Sequence, residues 1–330
     1  MQQYLMLEEI SVKKTMMMAL ALSTISYGAH ANFMQPNTEI DSVGKHVVIN
    51  IPQLRLFVYE NGRLAKSYPI AVGKGRTQTP PGEYKIGAKA FNPTWTVPPS
   101  IRRDRAKKGL PELKSVPPGP SNPLGPVFVR FGDPKLGLGI HGTSKPSSVP
   151  SFASYGCVRL KNPNAIEFAK FIDSGSRVSV LYQQGMVNVD GNNNVWVAAY
   201  TDPYNLKKLD PAAVKAQANE AAKKHGKTVN DKLLTQVLAN RSGQLNCVTC
   251  GQGAKKVQGT LQPVKQTVAA APVSKPAQTV IPPALEKIPA SEPISTPDSE
   301  ESEYFIQPHQ PVDWSSQLNT KSDEDFTRLW

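Results

Sequence analysis

Val47-Val48-Ile49-Asn50-Ile51 and Leu54-Arg55-Leu56-Phe57-Val58-Tyr59, separated by Pro52-Gln53 and followed by Glu60-Asn61-Gly62-Arg63, decide the fold class. Both runs are rich in β-branched and aromatic residues, too short for amphipathic helices and bounded by turn residues, so they read as strands. Asn61-Gly62 supplies the positive φ angles of a tight hairpin, and the chain doubles back into a strand over residues 64–72. Gly73-Lys74-Gly75 and Thr79-Pro80-Pro81-Gly82 punctuate the next connections before residues 83–88 resume a strand. Working outward, residues 127–131, 137–141, 151–160 and 177–182 read as strands. A helix follows Leu160, with Asn162 or Asn164 as its cap, Pro163 in its first turn, and an apolar face of Ile166, Phe168, Ala169 and Ile172. The expectation is a mainly β fold with one or two short helices.

Residues 91–126 interrupt this pattern with many prolines and glycines and no clean period beyond a short turn near residues 101–108. A connection this long inside a domain is usually a lid or binding loop. Its cluster of Arg102, Arg103, Arg105, Lys107 and Lys108 would then face substrate. Beyond residue 182 the chain reads as a small appendage over residues 187–245. It has a hairpin around Asp190-Gly191 and a helical stretch over residues 206–241, whose second part starts at Asp210-Pro211. Residues 250–330, rich in Pro, Ser, Gln and charge, bury too little apolar surface to fold and read as a disordered tail.

The 330 residues include 30 prolines and carry a net charge of +12. The charge is unevenly spread: residues 45–185 hold roughly three basic residues for each acidic one, whereas residues 286–330 are acidic. Lys13-Lys14, an apolar run over residues 16–25 and Ala29-His30-Ala31 read as a secretory leader, residues 1–31, cleaved after Ala31. The run is too short for a membrane anchor, and no later stretch could span a bilayer. Glu8 and Glu9 are out of place in such a leader and point to a start at Met6 or later. An exported basic protein meets anionic wall polymer and lipid, which favours an acidic substrate over nucleic acid. Three cysteines leave one unpaired in an oxidising compartment. Cys247-Val-Thr-Cys250 suits a local disulfide better than a redox pair, because the strand-helix setting of a redox motif is absent. Cys157 is then the free thiol.

Chemistry gathers in Ile140-His141-Gly142-Thr143 and Ser154-Tyr155-Gly156-Cys157-Val158-Arg159-Leu160. A thiol of ordinary pKa is mostly protonated at neutral pH, so a nucleophilic Cys157 needs an imidazole to take its proton. His141 is best placed: His30 falls in the leader, His46 opens a distant strand, His225 lies in the appendage and His309 in the tail. Gly156 lets the backbone turn sharply, and the amides of Gly156 and Cys157 are oxyanion-hole candidates. Arg159, two positions on, shares the face of Cys157 and could grip a substrate carboxylate or serve in a structural ion pair. Zinc is disfavoured, since His141, Cys157, Cys247 and Cys250 make no recognised metal spacing.

These segments resemble the L,D-transpeptidase catalytic domain, whose signature is His-Gly-Thr followed by Ser-His-Gly-Cys-Ile/Val-Arg-Leu. Thr79-Pro80-Pro81-Gly82-Glu83-Tyr84, Asn92-Pro93-Thr94-Trp95, Pro98-Pro99-Ser100-Ile101 and Pro118-Gly119-Pro120 with Pro123-Leu124-Gly125 look like the family's other recurring segments, in order. The resemblance covers residues 45–182 and implies a β-sandwich carrying Cys and His beside a cleft partly covered by residues 91–126. It implies that Cys157 attacks the amide before the terminal D-alanine of a peptidoglycan tetrapeptide stem, with His141 as base. The resulting thioester is passed to an amine of a second stem or of a wall-anchored lipoprotein. Substrate contacts are expected from Arg159, Tyr155, Ser154, Gly142, Thr143 and Trp95. No cofactor or metal is implied, and a periplasmic monomer sensitive to carbapenems and active in cell-wall organisation and shape is expected. Handing the thioester to water would make an L,D-carboxypeptidase or lipoprotein-releasing amidase instead, and a catalytically silent chain would be a wall-binding module. One departure stands out: Tyr155 occupies the place of the family's second His, and a phenol of pKa near 10 cannot act as an imidazole at neutral pH.

Overall fold

The computed structural model describes residues 33–251, 256–264 and 267–269. The expected leader and the tail beyond residue 269 lie outside the described residues. The two deciding runs form Lys45–Asn50 and Arg55–Glu60, paired antiparallel with Val47 opposite Val58 and Ile49 opposite Leu56. Asn61 and Gly62 take φ of 49° and 78° and return the chain into Arg63–Pro69.

Ten strands join in one sheet, in the order Ser151–Ser154, Ala71–Gly73, Val158–Arg159, Gly139–His141, Val127–Phe131, Gly82–Phe91, Arg177–Leu181, Lys45–Asn50, Arg55–Glu60 and Arg63–Pro69. Gly82–Phe91 links its halves. The first residues of that strand pair with Arg177–Leu181 and the later ones with Val127–Phe131, with a register irregularity between Ile86 and Lys89. Such irregularities bend a strand, and the sheet curls there. Val47, Ile49 and Leu56 from one half, Val129, Ile140 and Val158 from the other, and Phe168 from a helix then share one core. The protein is mainly β, as its sequence pattern requires.

Two helices accompany this sheet: α1, Pro99–Lys107, within the long excursion, and α2, Asn162–Phe171. The excursion is therefore not a bare loop. It carries α1 between two short strands, Trp95–Thr96 and Ser115–Val116, which pair with each other. α2 starts where expected, but neither Asn caps it by its side chain: Lys161 is the N-cap residue and makes no side-chain cap bond.

Beyond the sheet, Gly185–Val189 and Val195–Ala199 form an antiparallel hairpin. The Asp190 carboxylate fastens its turn by accepting Trp196 Nε1 and the amides of Asn192 and Asn194, each at 2.9 Å. Two helices, α3 (Pro211–Lys224) and α4 (Asp231–Asn240), pack Val214, Ala218, Leu234 and Leu238 against Val187 and Val197. They are capped by the side chains of Asp210 and Asn230. Residues 206–210 are not helical. Cys247 and Cys250 form a disulfide beside this hairpin. The expectation of disorder from residue 250 is corrected over its first part. Gln262–Pro263 pairs with Asn188 and Val189, and Thr267–Ala269 runs parallel to Glu39–Asp41. Docking a short strand onto an existing sheet edge needs little apolar surface of its own, and Val257 and Leu261, buried against Met186 and Trp196, supply it. Among the described residues no helix is long and apolar enough to cross a membrane.

Phe168, fully buried and edge-on to Tyr68 with centroids 6.4 Å apart, joins α2 to the sheet. Phe168→Ala should lower unfolding stability by about 3–5 kcal/mol in denaturant titration. A loss below about 1 kcal/mol would contradict this core.

Candidate active site

Gly139–His141 runs antiparallel to Val127–Phe131 and parallel to Val158–Arg159, with Ile140 opposite Val158 and His141 opposite Arg159. Ile140 and Val158 are fully buried in the core, so strand alternation turns His141 and Arg159 to the opposite face. Cys157 lies in the bend of residues 155–157 just before that strand, so the strand expected over residues 151–160 is broken there into Ser151–Ser154 and Val158–Arg159. All three line one cavity of about 450 Å³. Trp95 and Tyr155 also line it, and α1 and its approach supply another wall through Pro98, Pro99 and Ile101. The excursion therefore covers the site, but of its five clustered basic residues only Arg103 reaches the cavity. Arg105 instead donates to the Pro111 carbonyl at 3.1 Å. Arg103, Arg130, Lys135 and Arg159 make the lining cationic, with no carboxylate among the lining residues.

The His141 ring is set by its neighbours. Its Nδ1 lies 2.6 Å from the Gly142 carbonyl oxygen, which can only accept, so Nδ1 carries the proton and Nε2 of the neutral ring holds the lone pair. Phe128 stacks on the imidazole at 6.0 Å and 22°. Gly139 is required beneath that phenyl ring, since a Cβ there would sit 2.2 Å from it. Burial, reinforced by the Arg159 charge, pushes the His141 pKa down to about 3 against the opposing pull of the Gly142 and Leu124 carbonyls. Burial likewise raises the Cys157 thiol, while the Gly139 backbone and the charges of Arg159 and Arg130 act to lower it. The thiol donates to the Gly137 carbonyl at 3.5 Å. No hydrogen bond joins Cys157 to His141 among the described residues, so the two face one cavity as a neutral acid and a neutral base.

The Cys157 turn is stapled from within. Ser154 Oγ donates to the Cys157 carbonyl and accepts the Gly156 amide at 3.1 Å, with Gly156 at φ +113°. This corrects two expectations. The Gly156 amide is spent inside the turn and is not offered to an oxyanion, which leaves the Cys157 amide as the candidate donor. Ser154, 1% exposed, touches the cavity but works mainly as the staple. Gly142 and Thr143 are also corrected: both are buried and neither lines the cavity. Thr143 donates its amide to Asn162 Oδ1 at 2.7 Å, and Gly142 donates to the Val127 carbonyl at 3.2 Å. Cβ atoms at Gly125 and Gly142 would meet Asn162 Oδ1 at 2.6 and 2.5 Å, so this junction admits no side chain there. Asn162 was read as a helix cap; its polar side chain was the signal, but its partner 19 residues back was not legible. Tyr155 packs under Lys74, whose Nζ lies 5.1 Å from the ring centroid. Burial and Asp104 raise its phenol pKa, which Arg159 partly opposes.

Residues 44–180 match the YkuD family, the L,D-transpeptidase catalytic domain. The putative L,D-transpeptidase YkuD of Bacillus licheniformis is 33% identical over 140 residues, 42% of this chain and 67% of that protein. The chain belongs to the L,D-transpeptidase family. The probable L,D-transpeptidase ErfK/SrfK of Escherichia coli K12 is 30% identical over 162 residues, which cover 48% of this chain. The matched part spans about half, 51%, of that relative's length. An L,D-transpeptidase from Mycobacterium smegmatis overlays 42% of this chain and 58% of its own, with a TM-score of 0.32 and 21% identity.

Two measurements follow from the buried pair. As pH falls below 6.5 the unfolded chain takes up the His141 proton first, so the stability this group contributes is full above 6.5 and is lost toward pH 3. Unfolding free energy should therefore fall less steeply over that window in His141→Asn than in wild type; parallel slopes would refute the buried neutral ring. Iodoacetamide alkylation of Cys157 should rise with pH through a midpoint above the ordinary thiol value of about 8.5. A midpoint below about pH 7 would instead mark a thiolate stabilised at rest.

Proposed function

We propose that the chain is an exported, periplasmic peptidoglycan L,D-transpeptidase using Cys157 as nucleophile and His141 as general base. The observation that carries this reading is the meeting of Cys157, His141 and Arg159 on one cation-lined cavity, His141 and Arg159 from two adjacent strands and Cys157 from the bend that leads into the second. Cys157 Sγ attacks the carbonyl carbon of the amide between the stem's diamino acid and its terminal D-alanine. As the S–C bond forms, the thiol proton leaves the Gly137 carbonyl for His141 Nε2. The Cys157 amide faces the developing oxyanion. Collapse breaks the C–N bond, His141 returns the proton to the departing amine, D-alanine leaves and a thioester remains. An acceptor amine then attacks the thioester carbonyl; its proton passes through His141 to the released thiolate. The Arg159 guanidinium, beside Cys157 and Tyr155, orients the donor through its carboxylate.

A neutral resting pair suits this sequence, because the proton moves only as the substrate carbonyl arrives, and catalytic hydrogen bonds tighten on binding. Tyr155 forms part of the cavity wall and supplies a hydroxyl, not a second base. The acceptor is an amine of a second stem or of a wall-anchored lipoprotein, and the chain works as a monomer.

A carbapenem presents a strained amide to the same thiol. Intact-mass measurement should show one adduct on wild type and none on Cys157→Ala; labelling of both or neither refutes the nucleophile. Muropeptides from cells expressing wild type should gain cross-links that Cys157→Ala lacks. Trimmed stems would mean water is the acceptor, and unchanged muropeptides would leave a wall-binding module.

A further inference from the structure

Residues 73–79 clamp the Cys157 turn at three points. Lys74 N and Thr77 Oγ1 both donate to the Ser154 carbonyl, at 3.1 and 2.9 Å, and Thr79 Oγ1 donates to the Gly156 carbonyl at 2.8 Å. Thr79 is fully buried, and its Oγ1 also accepts the Gly73 amide at 3.0 Å, closing the loop on itself. A glycine at φ +113° is held there by such outside bonds, because nothing in its own side chain fixes it.

Both ends of this clamp are gripped by one hydroxyl from elsewhere in the chain. Tyr204 Oη donates to the Gly73 carbonyl at 2.8 Å and accepts the Thr79 amide at 3.1 Å. Tyr204 lies after the hairpin of residues 185–199, outside the residues matched to the family, yet it is 5% exposed and part of the catalytic core. Its own position is fixed: it stacks on Tyr182 at 5.5 Å and meets Phe152 edge-on at 6.3 Å. Its amide donates to Tyr182 Oη at 2.9 Å, and that phenol in turn donates to Asp202 at 2.6 Å. The path from Tyr204 to the residue preceding the nucleophile is two hydrogen bonds long, by way of Thr79.

We propose that Tyr204 is a positioning residue for acyl transfer, holding the clamp of residues 73–79 so that Gly156 keeps its turn and the Cys157 amide stays aimed at the oxyanion. The segment following the catalytic domain thereby sets the reactivity of the thiol toward carbonyl carbon. This rests on the function proposed above.

The test compares two reagents on the full chain. Acylation by a carbapenem builds an oxyanion, whereas alkylation by iodoacetamide displaces iodide from a saturated carbon and builds none. Tyr204→Phe, which keeps the ring and removes the hydroxyl, should slow carbapenem acylation by about tenfold or more while alkylation stays within about twofold. Thr79→Val should behave alike, and Thr79→Ser, which keeps the hydroxyl, should acylate near the wild-type rate. Tyr59→Phe removes another buried hydroxyl, one that donates to Gln35 at 3.1 Å, and should leave acylation unchanged whatever it does to melting temperature. Wild-type acylation in Tyr204→Phe overturns the inference, and so does an equal fall in both reactions, which marks a general structural loss. Should Tyr204→Phe not fold, the Thr79 pair decides: equal acylation in Val and Ser variants overturns it. A wild-type chain that takes up no carbapenem removes the proposed function and this inference together.

Discussion

The parallel pairing of Gly139–His141 with Val158–Arg159 is the constraint on which the rest depends. Two residues of each strand suffice to set the alternation. Ile140 and Val158 point into the core and cannot be turned out without exposing fully buried side chains, so His141 and Arg159 must face the cavity. A slip of one residue would bury the imidazole and guanidinium in hydrocarbon and expose the aliphatic pair. The hydrophobic effect thus fixes the relative placement of the polar groups more firmly than any contact between them does.

That placement has an electrostatic consequence. Burial and the nearby guanidinium disfavour an imidazolium, and burial disfavours a thiolate, so charge separation at rest is opposed from both sides. The cationic lining of Arg103, Arg130, Lys135 and Arg159 compensates only when an anionic group arrives. In the proposed reaction, binding and activation are then linked through the same field.

Backbone restraint supplies what the field does not. Around His141, Gly125, Gly139 and Gly142 allow Asn162 and Phe128 to approach closer than any Cβ would permit. Around Cys157, Ser154 staples the turn internally while residues 73–79 clamp it from outside, and Tyr204 joins that clamp to the later part of the chain. The hairpin and helices beyond residue 185 have their own apolar cluster, yet the linker between that hairpin and α3 sends Tyr204 into the core of the ten-stranded sheet and packs Leu206 against it.

The sequence by itself determined the mainly β class, the Asn61-Gly62 hairpin, the free Cys157 and, as its candidate partner, the His141 that lines the same cavity. Each of these is set by local pattern: strand alternation, the positive φ angles of a turn, cysteine arithmetic and glycine-flanked chemistry. That Cys157 and Arg159 lie on one cavity was legible from their nearness in sequence, but strand alternation did not place them, because Cys157 sits in the bend before the strand. Contacts between distant segments were not legible. Asn162 looked like a helix cap until Thr143 was beside it, Gly156 looked like an oxyanion donor until Ser154 Oγ accepted its amide hydrogen bond, and Thr143 looked like a substrate contact until it was buried. Residues 262–263 looked structureless until a sheet edge was there to receive them. Tertiary structure alone decided these, because a hydrogen-bonding group commits to whichever partner the fold brings within reach, and that partner is not encoded in its near neighbours.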